Sequence, residues 1–121
     1  MKLATAAVAA ALAMSACGLV EEIDPVAVCT EEADANGRDF RVVGSFATTV
    51  ATLRGMTPDR GPDDWRELPG EAPAALCYLD GPVPHAPPDG APFDRMVVAV
   101  AGGHAEMLIA GYRDEIAIRA P

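Results

Sequence analysis

Aromatic residues are scarce in this 121-residue chain: three Phe, two Tyr and one Trp amount to 5%. Carbohydrate grooves are lined with rings, so paired-carboxylate glycoside chemistry has little to build on. Positive charge is equally thin. Nine basic residues face 18 acidic ones, a formal charge of −9, and Lys2 is the only lysine. Phosphate backbones are held by clustered Lys and Arg, which excludes nucleic acid as a partner. Missing lysine beside abundant Ala, Gly and Pro reads as a coding bias, not as function. Catalytic signatures are missing too. The chain has no GxSxG, no SxxK, no GxGxxG and no phosphate-loop lysine, and Ser45 is the only serine after Ser15. It has no CxxC, HxH, HExxH or HxxxH, the spacings at which thiols and imidazoles share a metal. No internal period suggests a repeat array. The length allows one domain and rules out a multi-span membrane protein.

What is present begins at the N-terminus. Residues 1–16 read MKLATAAVAAALAMSA: Lys2 as a minimal positive region, an apolar Ala-rich stretch from Leu3 to Ala13, then small residues before Cys17. That is the layout of a secretory signal peptide. The run Met14-Ser15-Ala16-Cys17 resembles the lipobox of bacterial lipoproteins, with Met14 at the aliphatic position that is usually Leu. The resemblance implies lipid transfer to the Cys17 thiol and cleavage before Cys17. It implies a membrane partner through the anchor and an extracytoplasmic location on the cytoplasmic or outer membrane. A plain signal peptide cut after Ala13 and an uncleaved anchor from Leu3 to Val20 are the alternatives. The expected organisation is residues 1–16 as signal, 17–23 as lipidated tether and 24–121 as one small exported domain. Cleavage would remove the lone lysine and leave a formal charge of −10 on 105 residues.

With Cys17 lipidated, Cys29 and Cys77 remain, and two cysteines in an oxidising compartment allow one pairing. Closing a loop of this length contributes roughly 4 kcal/mol in the chain-entropy view. Leu, Ile, Val and Phe are sparse after residue 16, close to the level of disordered chains, so the domain benefits from such a staple.

Local patterns give the elements. Asp24-Pro25 is a helix start, with Asp as cap and Pro at the first position, and Asn36-Gly37 is a helix end. A hairpin turning at Asn36-Gly37 competes with that helix. From Val42 to Met56 the apolar residues fall on one face at 100° per residue, which predicts a helix over about Ser45 to Arg54. Ala74 to Asp80 reads as a short buried strand. Arg95 to Ala101 and Ala105 to Tyr112 read as a hairpin about Gly102-Gly103, with Ile116 and Ile118 in a last strand or an extended tail. The expected fold is α+β: a mostly antiparallel sheet of three to four strands packed against one or two helices and stapled by one disulfide.

Few residues suggest chemistry. His104 falls in the hairpin turn and His85 in a proline-rich loop, each better read as solvent-facing than as a metal ligand. The acidic clusters, including Asp34 to Asp39, match no calcium loop, because Gly37 stands at position 4 and no Glu closes twelve residues. No metal and no cofactor is expected. Trp65 lies between Asp64 and Arg66, where an exposed indole anchors a partner and a folded-back one covers a sheet edge. The sum points to a non-enzymatic binding or accessory module of the cell envelope, with an envelope protein as the expected partner. The rival is a small enzyme or metal-binding protein whose site assembles from loop residues such as His85, Asp63 and Asp64.

Overall fold

A computed structural model describes residues 23–56, 63–84 and 87–121, together with the backbone but not the side chains of Asp63 and Asp64. The signal, Cys17, the rest of the tether and His85 lie outside the described residues. The chain runs α1 (Pro25–Asn36), β1 (Arg41–Thr49), α2 (Val50–Met56), a single helical turn α3 (Asp63–Arg66), β2 (Pro73–Asp80), β3 (Arg95–Ala101) and β4 (His104–Gly111). Among the described residues no helix is long and apolar enough to cross a membrane.

Helix α1 forms where its end signals stand. The Asp24 carboxylate accepts the backbone N–H groups of Val26 and Ala27 at 3.0 and 3.3 Å, two of the donors a helix start leaves unpaired. Pro25 occupies the first turn, and the N–H of Gly37 closes the far end on the carbonyls of Ala33 and Asp34. The helix therefore prevails over the hairpin.

The four strands form one antiparallel meander in the order β1-β2-β3-β4. Central strand β2 is covered on both faces, so its residues from Ala74 to Asp80 are all buried. On one side, the helix face, Cys77 and Leu79 of β2 and Met96 and Val98 of β3 pack under Cys29 and Ala33 of α1. On the other, the tail face, Leu76, Tyr78, Val97 and Ala99 pack with Leu53 of α2 and with Trp65. The Cys29–Cys77 disulfide joins α1 to the middle of β2 with an S–S length of 2.04 Å across a sequence separation of 48. The α+β sheet with helices and a staple is as the composition and patterning imply.

The predicted helix from Ser45 to Arg54 is corrected. Arg41–Thr49 is a strand, and helix begins only at Val50. The cause is a bulge. The register with β2 slips between Val42 and Gly44, so Val42 packs toward the helix face while Val43 and Phe46 pack into the tail-face core. An irregular strand thereby imitates a 3.6-residue period, and its β-branched residues favour the extended form.

The β3–β4 hairpin turns at Gly102 and Gly103, whose φ values of 58° and 75° fit a tight turn that other residues strain to adopt. The chain end is an extended tail, with no strand after β4 among the described residues. It crosses the tail face, where a Cβ on Gly44 would stand 2.6 Å from Ile118 Cγ2. Glycine at this point is what lets the tail lie so close to β1.

Candidate binding surface

The residues that the sequence singles out do not converge. His104 is the first residue of β4, half-buried, opposite Ala101. Asp63 and Asp64 sit on α3, and their side chains, like Cys17 and His85, are outside the described residues. Among the described residues no three His, Cys, Asp or Glu side chains gather as a metal would require.

Of the two readings of Trp65, the folded-back one fits the structure and the exposed anchor does not. The side chain is only 2% exposed, and its indole N–H donates to the Ala101 carbonyl at 3.1 Å. Arg54 holds the same segment, its guanidinium donating to the carbonyls of Trp65 and Leu68. An indole so placed contributes burial and one satisfied donor to the core. Docking through it would require taking it out of the fold.

Sequence reasoning missed a buried ion pair. At the end of the sheet far from the Gly102–Gly103 turn, the Arg95 Nε and Nη2 donate to the two Asp80 oxygens at 2.6 and 2.9 Å. Arg95 Nη1 donates to the carbonyls of Arg113 and Ile116 at 3.2 and 2.7 Å. Arg95 is 9% exposed, yet both sides of the pair are satisfied by a bidentate fork. The bond to Asp80 raises the Arg95 pKa further, and burial opposes it. One arginine thus joins two strands and the tail. A shallow hollow of about 280 Å³ beside it is lined by Asp39, Arg41, Asp80, Asp94 and Arg113. Its charges are largely committed: Arg113 donates its backbone N–H to Asp94 Oδ1 at 2.7 Å and pairs through Nε with Asp94 Oδ2 at 3.5 Å. The ensemble serves the tail and offers no nucleophile or imidazole. The only signal for it in the sequence is an Arg opening a strand that must be buried.

The surface least committed to the fold lies at β4. This is an outer strand, with no strand on its far side among the described residues. Outer strands are commonly guarded by Lys, Pro or charge. Strand β4 (HAEMLIAG) has no Lys, Arg or Pro and a single carboxylate, Glu106. Its Met107 and Ile109 are 38% and 52% exposed. A bulge between Val97 and Val98 of the β3 register adds local twist.

The helix face beside β4 is also incompletely covered. Helix α1 packs mainly on β1 and β2, reaches Met96 and Val98 of β3, and leaves Met107 of β4 exposed. Two adjoining hollows, of about 270 and 340 Å³, run between α1 and the β3–β4 hairpin and share Glu32 and Ala105 in their walls. Their floor is apolar, from Met96, Val98, Val100 and Met107, and the α1 wall presents Glu31 and Glu32. An open strand edge, exposed apolar side chains and a trough with an acidic wall make a surface suited to binding.

Comparison with known proteins gives no match: no family model fits the chain, and no curated protein or solved structure is significantly similar.

Proposed function

We propose that the protein is an exported lipoprotein, anchored through lipid on Cys17, whose single domain is a non-enzymatic binding or accessory module of the cell envelope. The anchoring half rests on Met14-Ser15-Ala16-Cys17 behind an apolar leader. The buried Cys29–Cys77 disulfide supports export, because such bonds persist in oxidising compartments. The observation that carries the binding half is the outer edge of β4, without Lys, Arg or Pro, with Met107 and Ile109 exposed beside the α1 trough.

Two measurements test the two halves. Cys17→Ser is expected to abolish incorporation of labelled palmitate and to leave the precursor uncut. Persistent labelling would refute the anchor. For the binding half, the lipidated protein is purified from its own envelope with and without Ile109→Lys. The expected result is a co-purifying envelope protein that is lost in the variant, whereas a partner retained at full yield would place binding elsewhere.

A further inference from the structure

The β4 edge and the trough beside it together define what kind of partner fits. We infer that β4 accepts an extended segment of a partner protein as a fifth strand, and that this segment alternates apolar residues with Arg or Lys. The inference rests on the binding-module reading above and adds the chemistry of the partner.

The first ground is the edge itself. A strand of eight residues with no pairing strand on its outer side, among the described residues, offers backbone donors and acceptors to another strand. Both outer strands carry a bulge, β4 opposite Val97/Val98 and β1 at Val42/Gly44, but β1 also opens with Arg41 and lies beside the tail at Gly44, which makes it the poorer template.

The second ground is the difference between the two sides of β4. Successive residues of an added strand point to opposite faces of the sheet. Those on the tail face would lie beside Leu108, packed on the tail-face core, and the half-exposed Ile109, with Glu106, opposite Ala99, further along the same row. Apolar side chains satisfy the Leu108–Ile109 part of that side. Those on the helix face would lie beside Met107 and Ala105, at the rim of the trough whose far wall is Glu31 and Glu32. A long cationic side chain suits this side: its methylene stem covers Met107 while its head reaches toward the acidic wall. One face asks for apolar residues and the other for cations, which is a two-residue alternation.

The third ground is charge, which also decides between occupants. A second copy of this chain would bring its own Glu31–Glu32 wall and Glu106 to the same interface, on top of a net charge of −9 per chain. Like charges facing each other across strands are destabilising. A basic segment gains where a second copy loses, and the advantage weakens with salt.

The test places the photo-cross-linker p-benzoylphenylalanine at Met107 in the full lipidated chain, in intact cells, with Ala51 on α2 as the control site. Cross-linked peptides are sequenced by mass spectrometry. The expected result is an adduct at Met107 and none at Ala51, carried by a partner segment in which apolar residues alternate with Arg or Lys. Ile109→Lys and Glu31→Lys, both at exposed positions, should each cut the adduct at least tenfold while near-ultraviolet circular dichroism stays unchanged. An adduct with lipid, with a second copy, or with a segment lacking the alternation overturns this inference and leaves the binding module standing. So does an adduct that survives both variants. No adduct at either site overturns the inference and the binding module together. Cys17→Ser separates the anchor from both, since it removes the lipid without touching β4.

Discussion

The two faces of the sheet are covered by different means. Helix α1 lies on one face, and its hold on β2 is covalent, through Cys29 and Cys77. The tail lies on the other without a covalent link: Arg95 donates to the carbonyls of Arg113 and Ile116, the Tyr78 hydroxyl donates to the Arg119 carbonyl at 2.9 Å, and Ile116 packs against the core. The helix brings few apolar anchors. Cys29 and Ala33 are its only fully buried residues, and Val26 is exposed. A helix with so small an apolar face gains little from packing, and the disulfide supplies what burial does not. The tail face has the larger core, with Trp65, Tyr78, Leu53 and Leu76, so its cover needs positioning more than it needs holding.

Removing the staple should have the largest effect. Cys29→Ser with Cys77→Ser is expected to cost about 4 kcal/mol in chemical denaturation, and hydrogen exchange should show α1 opening before the tail. If α1 stays as protected as β3 in the double variant, the contrast between the faces is wrong. Asp80→Ala comes next. It strands a buried guanidinium, which costs about 3 kcal/mol, and it should speed exchange in residues 112–119 more than in α1. Equal loosening of both covers would show that Arg95 supports the whole sheet end rather than the tail. Tyr78→Phe removes one bond to the tail and should cost about 1 kcal/mol, detectable as a small drop in Tm with the Phe46 ring contact retained. The smallest effect belongs to Asp24→Ala. Loss of the α1 cap is expected to cost about 0.5 kcal/mol, because the helix stays pinned at Cys29. Repeating it under reducing conditions sharpens the comparison: the same substitution should then unfold α1 outright, read by far-ultraviolet circular dichroism.

What could be read from the sequence follows the same division between local and distant causes. The end signals of helix α1 were legible because Asp24-Pro25 and Asn36-Gly37 act on their own backbone, but the sequence left a hairpin at Asn36-Gly37 open beside it. The β3–β4 hairpin was legible because Gly102-Gly103 admits the turn that few other pairs do. The disulfide followed from counting, since Cys17 was set aside and one pairing remained. Strand β1 was not legible: its bulge mixes the two faces, and a mixed strand has the period of a helix. The fork between Arg95 and Asp80 joins residues on neighbouring strands, and a single sequence holds no sign of which acid meets which base. For Trp65 the sequence favoured an indole folded back over the sheet, but it held no sign of the partner, the Ala101 carbonyl 36 positions away. The candidate surface was illegible for a further reason. An edge is a property of strand order, and nothing within HAEMLIAG says that β4 is last in the sheet.

The position of the disulfide also sets how the domain bears load. A pull applied to the chain ahead of Ile23 enters at the start of α1. Without a cross-link it would peel the helix from the sheet and then draw on β1, an outer strand, unzipping the fold from its rim. The bond from Cys29 to Cys77 diverts that force into β2, which is flanked by hydrogen-bonded strands on both sides. Tension then shears a central strand against two neighbours at once instead of opening one edge pair at a time, and the segment from residue 30 to residue 76 is spared it.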